Sequence, residues 1–377
     1  MIDFQFTSHD TAVIAARLDE AGAHYIEVGH GLGLGAGVRP DMRQPEADEA
    51  YLEAAAAAVK RNKWGMFFIP GIGTLKDVEL AAKHGMDFIR VGTNVTEIEL
   101  SEPFIRRAKE LGMEVFANYM KTYASTPDEV AARAVLSAAY GADIVCVVDS
   151  AGGMLPEDVT AYIKAIKQRT DVAVGFHGHN NLGLAVANSL VAIDAGAAVV
   201  DTSVRGMGRS SGNTVTEIFL LTLKRKGIEL GIDVTAILDL AEKHIDPLLK
   251  NYQQVDSIGI ISGYAQFHSS YLGKILDYAS RYRIDPRELI VRVTNVDRIN
   301  APDDLVNRLS QELAEEQQGG VERIWVDLPA AKKDNTTQSL SGQVQKIVSE
   351  TSSLARKWAK IPVFNLVQVV RENGHSF

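Results

Sequence analysis

Five times in the first 205 residues a helix-period pattern stops at Gly-Ala or Gly-Met and runs straight into apolar positions: "DEAGAHYIEV", "AKHGMDFIRV", "KELGMEVFAN", "AAYGADIVCVV" and "IDAGAAVVDTS". The glycines are Gly22, Gly85, Gly112, Gly141 and Gly196, spaced 63, 27, 29 and 55 residues apart. The residue after a helix's last turn often takes positive φ, where only glycine avoids a Cβ penalty, so each phrase reads as a helix stop feeding a strand. Each doubled interval holds one more apolar run, "WGMFFIPG" at 64–71 and "DVAVGFHGH" at 171–179. Seven strands between 24 and 205, alternating with helices at about 28 residues per unit, predict parallel βαβ repetition.

Open doubly wound sheets and closed barrels share that alternation, and the polar residues decide between them. Chemistry-bearing side chains fall at nearly every strand end: Glu27 and His30, Pro70, Thr93 and Asn94, Asn118, Asp149 and Ser150, His177 and His179, Asp201 and Ser203. A barrel converges all its strand ends on one mouth, whereas an open sheet uses those near its switch point. The pattern therefore predicts an α/β fold, a (β/α)8 TIM barrel. Residues 8–21 read as an amphipathic helix capped by Thr7 or Ser8, and only "MIDFQFT" precedes it, too short for a strand and its loop. The barrel is thus expected to lack strand one, leaving its slot partly open or filled by a neighbouring chain. Residues 1–230 are assigned to the barrel, 231–300 to a helical C-terminal region and 301–377 to a mixed tail. In that tail 302–317 and 338–360 read as helices, "GGVERIWVDLP" as a short strand, and "KIPVFNLVQVV" as an apolar end that packs on the barrel or meets another subunit.

Composition narrows the partners. A formal net charge of −9 and a hydrophobic content of 46% describe a globular protein with no broad grip on nucleic acid or an anionic membrane, so a small-molecule substrate is expected. The single cysteine, Cys146, excludes an intrachain disulfide and fits a reducing compartment. With no leader pattern and no apolar run of membrane length, a cytoplasmic location is expected.

The strongest chemical signal is "DVAVGFHGHNN". Strand alternation puts Ala173, Gly175, His177 and His179 on one face and Val172, Val174 and Phe176 on the other, so the small residues and histidines fit the lumen and mouth. Two imidazoles at i and i+2 can reach one cation, with carboxylate or water completing its sphere. The glycine run "GHGLGLGAG" matches a loose dinucleotide pattern, but two prolines separate it from the next helix, 47–60, whereas a nucleotide-binding turn opens directly into a helix. A flexible loop over the mouth is the reading it receives.

Taken together, "LDEAGAHYIEVGHGLGLG", "PGIGTLKDVELAAKHGMDFIRVGTN", "YGADIVCVVDSAGGMLPEDV", "GFHGHNNLGLAVANS" and "GMGRSSGNTVTE" resemble the 4-hydroxy-2-oxovalerate aldolases. Their metal-dependent relatives are the hydroxymethylglutaryl-CoA lyase and isopropylmalate synthase group. "GYAQFHSSYLGKILDYASRYRIDPREL" resembles the family's helical C-terminal region. The resemblance implies a divalent metal on His177 and His179, manganese first, with magnesium or cobalt as alternatives. It implies cleavage of a 4-hydroxy-2-oxo acid to pyruvate and an aldehyde. Tyr264 and His30 become candidate catalytic residues, and Ser150, Asn94 and Asn180 candidate substrate-orienting ones; as strand-end or cap residues they have an equally ordinary structural reading. His268 stands where these aldolases carry a second tyrosine. The resemblance begins just after the family's T-L-R-D-G motif, so the third metal ligand and an arginine fall before Met1; a start internal to a longer frame is the favoured account, loss of the motif the other. A homo-oligomer and an aldehyde dehydrogenase partner are also implied. An acyl-CoA condensing enzyme on the same barrel and a non-catalytic scaffold are the alternative functions.

Overall fold

A computed structural model describes residues 5–38, 44–249 and 255–318. In chain order the barrel part comprises α1 (Ser8–Glu20), β1 (Tyr25–Val28), α2 (Asp48–Ala58), β2 (Lys63–Phe68), α3 (Leu75–Lys83), β3 (Phe88–Asn94), α4 (Glu102–Glu110) and β4 (Glu114–Met120). It continues with α5 (Pro127–Tyr140), β5 (Ile144–Asp149), α6 (Pro156–Arg169), β6 (Ala173–Gly178), α7 (Ala185–Ala195), β7 (Val199–Asp201) and α8 (Thr216–Arg225). Then follow α9 (Val234–Leu240), α10 (Ser257–Ala265), α11 (Leu272–Tyr282), α12 (Pro286–Val296) and α13 (Asp303–Gln318).

One repeat shows how the sequence writes the others. Thr126 caps α5 in a reciprocal box with Glu129, whose carboxylate accepts the Thr126 N–H at 2.8 Å. Pro127 supplies the preset φ of the first helical position, and Gly141 at φ 110° ends the helix. The chain then enters β5, where every residue is buried. The expected first helix likewise starts at Ser8 with Thr7 as its cap. The run expected at 64–71 stops as a strand at Phe68, because Ile72 and Gly73 both return N–H bonds to the Ile69 carbonyl and make a turn.

The seven strands form one parallel sheet in the order β1 to β7. Its outer face and the helices share the main core, including Met66, Phe68, Val91, Val145, Val174 and Phe176. Its inner face encloses a second, smaller cluster of Phe88, Phe116, Ile144, Cys146 and Val148, joined by Tyr25, Ala173 and Val199 from the first and last strands. The sheet is therefore curled as in a barrel, with β1 and β7 as its edges and no strand before α1 among the described residues. At the seam the helical layer closes instead: Asp233 N–H bonds the Ala21 carbonyl at 2.8 Å, and Ala21 packs with Leu220, Ile237 and Leu240. Asp19 of α1 accepts the N–H groups of Lys60, Arg61 and Asn62 at 3.0, 3.1 and 2.9 Å, fixing the turn into β2.

The C-terminal helices α10–α13 have their own core, with Ile275, Leu289, Ile290, Val293, Val306 and Leu313. Helix α10 rests on the strand-end loops: Asn181 Nδ2 donates to the Gly259 carbonyl at 2.9 Å, and a Cβ on Gly153 would stand 2.1 Å from the Gly263 oxygen. The helix expected at 302–317 is α13; the strand, helix and apolar end expected beyond it lie outside the described residues. Among the described residues no helix is long and apolar enough to cross a membrane.

The glycine run after β1 differs from the flexible flap expected of it. Leu34 and Ala36 are fully buried, Leu34 N–H bonds the Phe67 carbonyl at 3.0 Å, and a Cβ on Gly33 would lie 2.3 Å from that oxygen. Glycine serves close packing at positive φ here, and a short turn at Ala36–Val38 follows it.

Candidate metal and substrate site

His177 ends the inner face of β6, and His179 follows with its backbone bridged to Asn213. Their rings meet edge to face with centroids 4.9 Å apart. His179 is buried, and its Nδ1 lies 2.8 Å from the Asp149 carbonyl oxygen. A carbonyl only accepts, so Nδ1 carries the proton and Nε2 keeps its lone pair. Burial first, then the neighbouring His177 and Arg209, hold the His179 pKa well below its ordinary value, so the ring is neutral as a ligand must be. His177 Nδ1 faces Asp201 Oδ2 at 3.3 Å without a well-formed hydrogen bond and is otherwise unpartnered. The His179 ring is thus set through Nδ1 by an oxygen, the arrangement that presents Nε2 to a metal, and His177 stands beside it with Nδ1 toward Asp201. On these observations the two imidazoles fit a divalent ion. Among the described residues the only trio of His, Cys, Asp or Glu with donors within 4.8 Å of one another is Glu49, Glu53 and His84, where both glutamates are exposed, so no third carboxylate joins the histidine pair at ligand spacing.

Below the histidines runs a clasp the sequence reading passed over. Arg90 points from β3 into the lumen, donating to Glu27 Oε2 of β1 at 2.6 Å and to Asp201 of β7, so one guanidinium ties the two edge strands together. Burial opposes its charge, but Asp201 and Glu27 more than offset that and raise its pKa. Asp201 is held below its ordinary value despite burial, chiefly by Arg90 and then by His177. Inward parity was the available signal: Phe88, Arg90 and Gly92 alternate with apolar outer residues, and an arginine there needs carboxylates.

The other anticipated residues are placed as follows. Ser150 is buried, and its Oγ accepts the Lys121 N–H at 2.8 Å. Asn180 Oδ1 accepts the Ala185 N–H at 3.2 Å at the start of α7, and Asn94 Nδ2 donates to Glu97 at 2.7 Å. His30 is buried at the end of β1, its Nδ1 accepting the Leu32 N–H at 3.0 Å, so in the neutral ring Nε2 carries the proton. Tyr264 is 39% exposed on α10. His268 is instead the buried member of that segment, and the His179 ring contributes to its pKa shift.

Three more residues at the mouth were not singled out from sequence. Lys121, left-handed at φ 55° after β4, is buried and donates its Nζ to the Ile299 carbonyl at 2.6 Å and the Tyr271 hydroxyl at 3.2 Å; burial lowers its pKa. Tyr123 follows in the same turn with a buried hydroxyl that has no partner. Arg209 occupies an unspecified position of the G-M-G-x-x-x-G-N phrase, which gave no signal. Asp149, buried on β5, has a carboxyl pushed up to about 6 by burial, against the N–H groups of Met154 and Gly153 that it accepts.

Comparisons with known proteins bear on the family and the fold. The family model described as HMGL-like matches residues 2–243. The 4-hydroxy-2-oxovalerate aldolase of Carboxydothermus hydrogenoformans is 40% identical over 313 residues, covering 83% of this chain and 93% of that protein. Among solved structures, the HMG-CoA lyase of Brucella melitensis superposes with a TM-score of 0.56 at 22% identity, over 66% of this chain and 93% of its own. The carboxyl transferase domain of Rhizobium etli pyruvate carboxylase gives 0.68 at 15% identity, over 93% of this chain and 70% of that one. At those identities the two structures speak for the fold alone.

Proposed function

Given that the chain belongs to the HMGL-like family, we propose that it is a divalent-metal-dependent aldolase cleaving a 4-hydroxy-2-oxo acid to pyruvate and an aldehyde. The observation that carries this is the pair of adjacent imidazoles at the barrel mouth, one fixed by a backbone carbonyl and the other facing a carboxylate. His177 and His179 would hold the ion through Nε2, with Mn2+ expected and Mg2+ or Co2+ as alternatives. When bound, the ion supplies a Lewis acid beside the keto oxygen, where negative charge develops as the carbon–carbon bond breaks.

The chain's own residues orient and insulate that chemistry. The Asp149 carbonyl fixes the His179 tautomer, while Asp201, held ionised by Arg90, sets the field at His177. His30 enters as an N–H donor rather than a base, because its Nδ1 is already an acceptor. Ser150 and Asn180 shape the strand ends around the substrate through the backbone N–H groups they hold, Asn94 does so through the Glu97 carboxylate, and Tyr264 stands on the helix that covers the loops. This reading also takes the protein to be a cytoplasmic homo-oligomer that can pass its aldehyde to an aldehyde dehydrogenase.

The test is pyruvate release from 4-hydroxy-2-oxo acids, with and without added Mn2+ and after chelation. Release that requires the metal and returns with it is expected. Metal-independent release, or condensation of an acyl-CoA with a 2-oxo acid in place of cleavage, would overturn the reading.

A further inference from the structure

Among the described residues, the strand-end loops and the helices over them hold buried hydrogen-bond donors without partners. His268, at the junction of α10 and α11, accepts the Ser270 N–H at Nδ1 and has the Ser270 hydroxyl at 2.7 Å from the same atom. Its neutral ring therefore carries the proton on Nε2, and that N–H is buried without a partner. The Tyr123 hydroxyl, from the turn after β4, is likewise buried and unpartnered. His268 and Tyr123 keep only 6% and 9% of their surface exposed, so both groups were taken from water without a replacement in the protein.

Arg209, from the loop after β7, completes the set. That loop is pinned beside the histidines: Asn180 N–H bonds the Gly212 carbonyl at 2.8 Å, Asn181 Nδ2 donates to Ser210 Oγ at 2.7 Å, and Asn213 Nδ2 donates to the Met207 carbonyl at 2.9 Å. Arg209 is exposed, and the bulk of protein around it pushes its pKa down to about 10. Its charge acts on His179, His268, Lys121 and Tyr123, and among the described residues it has no ion pair. Lys121 adds a second cation that, among the described residues, has no carboxylate at ion-pair distance. His268 itself is held neutral, down to about 2, by burial and by these cations. Arg209 acts on His179 and His179 on His268, whereas the Arg90 clasp and Asp201 face His177.

We propose that Arg209, the His268 Nε2–H and the Tyr123 hydroxyl form an anion subsite beside the two histidines, and that the substrate carries a second carboxylate at the end that leaves as the aldehyde. The proposal rests on the aldolase reading for the identity of the first end. The 2-oxo acid carboxylate belongs with the metal-holding histidines, so the separate donors are left for a second anion. A guanidinium, a phenol and an imidazole N–H match the lone pairs of one carboxylate, and an alkyl group there would leave all three unpaired.

The test is calorimetric titration of the full chain, metal-free and loaded with Mn2+, with pyruvate, oxaloacetate and phosphonopyruvate. Oxaloacetate is expected to bind at least about tenfold tighter than pyruvate, and Arg209→Gln to bring that ratio near one while changing pyruvate affinity less than about twofold. Arg209→Lys should restore part of the ratio, and His268→Phe should lower it. A wild-type ratio near one, which needs no variant to measure, overturns the subsite, as does an Arg209→Gln protein that loses pyruvate and oxaloacetate equally. Tighter binding of phosphonopyruvate than of oxaloacetate overturns the carboxylate in favour of a phosphate. Loss of metal-dependent pyruvate binding with an Arg209-dependent oxaloacetate preference intact refutes the aldolase reading and supports the subsite.

Discussion

The two ends of the lumen are built from similar materials and left in opposite states. At the amino end of the strands the Tyr25 hydroxyl bonds both Glu114 oxygens at 3.1 and 3.0 Å, Lys63 pairs with the same carboxylate at 2.6 Å, and the Tyr25 ring stands edge-on to Phe88 and Phe116 at 5.3 and 5.4 Å. At the carboxyl end Asn118 Oδ1, Tyr123 OH, His177 Nδ1, Ser203 Oγ, Ser211 Oγ, Asn213 Oδ1 and His268 Nε2 are buried without hydrogen-bond partners among the described residues. A buried polar group without a partner costs about 1–3 kcal/mol, so a fold keeps several together only where something else completes them. The contrast separates an end that stabilises from an end that binds.

Substitutions at the two ends should therefore part activity from stability. The largest effect is expected for His179→Ala, which removes a proposed metal-holding group: metal-dependent pyruvate release should fall about a thousandfold or more, since the Lewis acid is worth several kcal/mol, while the urea midpoint stays within a few tenths of a molar. A comparable loss of midpoint would show that the mouth is also a stabilising element. Next, Arg90→Met, at the level between the two ends, leaves Asp201 and Glu27 facing each other without their cation. Equilibrium unfolding should show a loss of about 3–5 kcal/mol; a neutral result would mean that the edge strands are held without the clasp.

Phe116→Ala, in the closed end, should cost about 3–5 kcal/mol by cavity formation, with Co2+ affinity unchanged. Altered metal binding in that variant would break the separation of the two ends. The smallest effect is expected outside the lumen, at Asp19→Asn, at about 1–3 kcal/mol near neutral pH. Burial would raise the Asp19 pKa, but the N–H groups of Lys60, Arg61 and Asn62 and the Asn62 side chain bring it below the ordinary value. A depressed folded-state pKa contributes stability above the unfolded value of 3.8, and that contribution is lost as pH falls through the folded value. The wild-type advantage over the variant should accordingly shrink below about pH 4 in thermal melts. An advantage that is flat with pH would assign the effect to packing instead.

Short-range signals, which the sequence carries in full, determined the succession of seven strands, their inward and outward parity and the helix boundaries, because glycine at positive φ, a capping box and period-two alternation each act within a few residues. Gly141 and Thr126 mark the ends of α5, and Ala173, Gly175 and His177 declare one face of β6, before any tertiary contact is considered. The adjacency of His177 and His179 was legible for the same reason. The curl of the sheet decided the rest: it turned Arg90 toward both edge strands, and the covering of the loops by α10 brought His268 within the influence of Arg209, Lys121 and His179. The glycine loop shows the converse, since a run that reads as flexible packed tightly once the Phe67 carbonyl was beside it. Residues far apart in the chain have no shared periodicity to announce their meeting, and only the curl of the sheet brings Glu27 and Asp201, from the two edge strands, to one guanidinium.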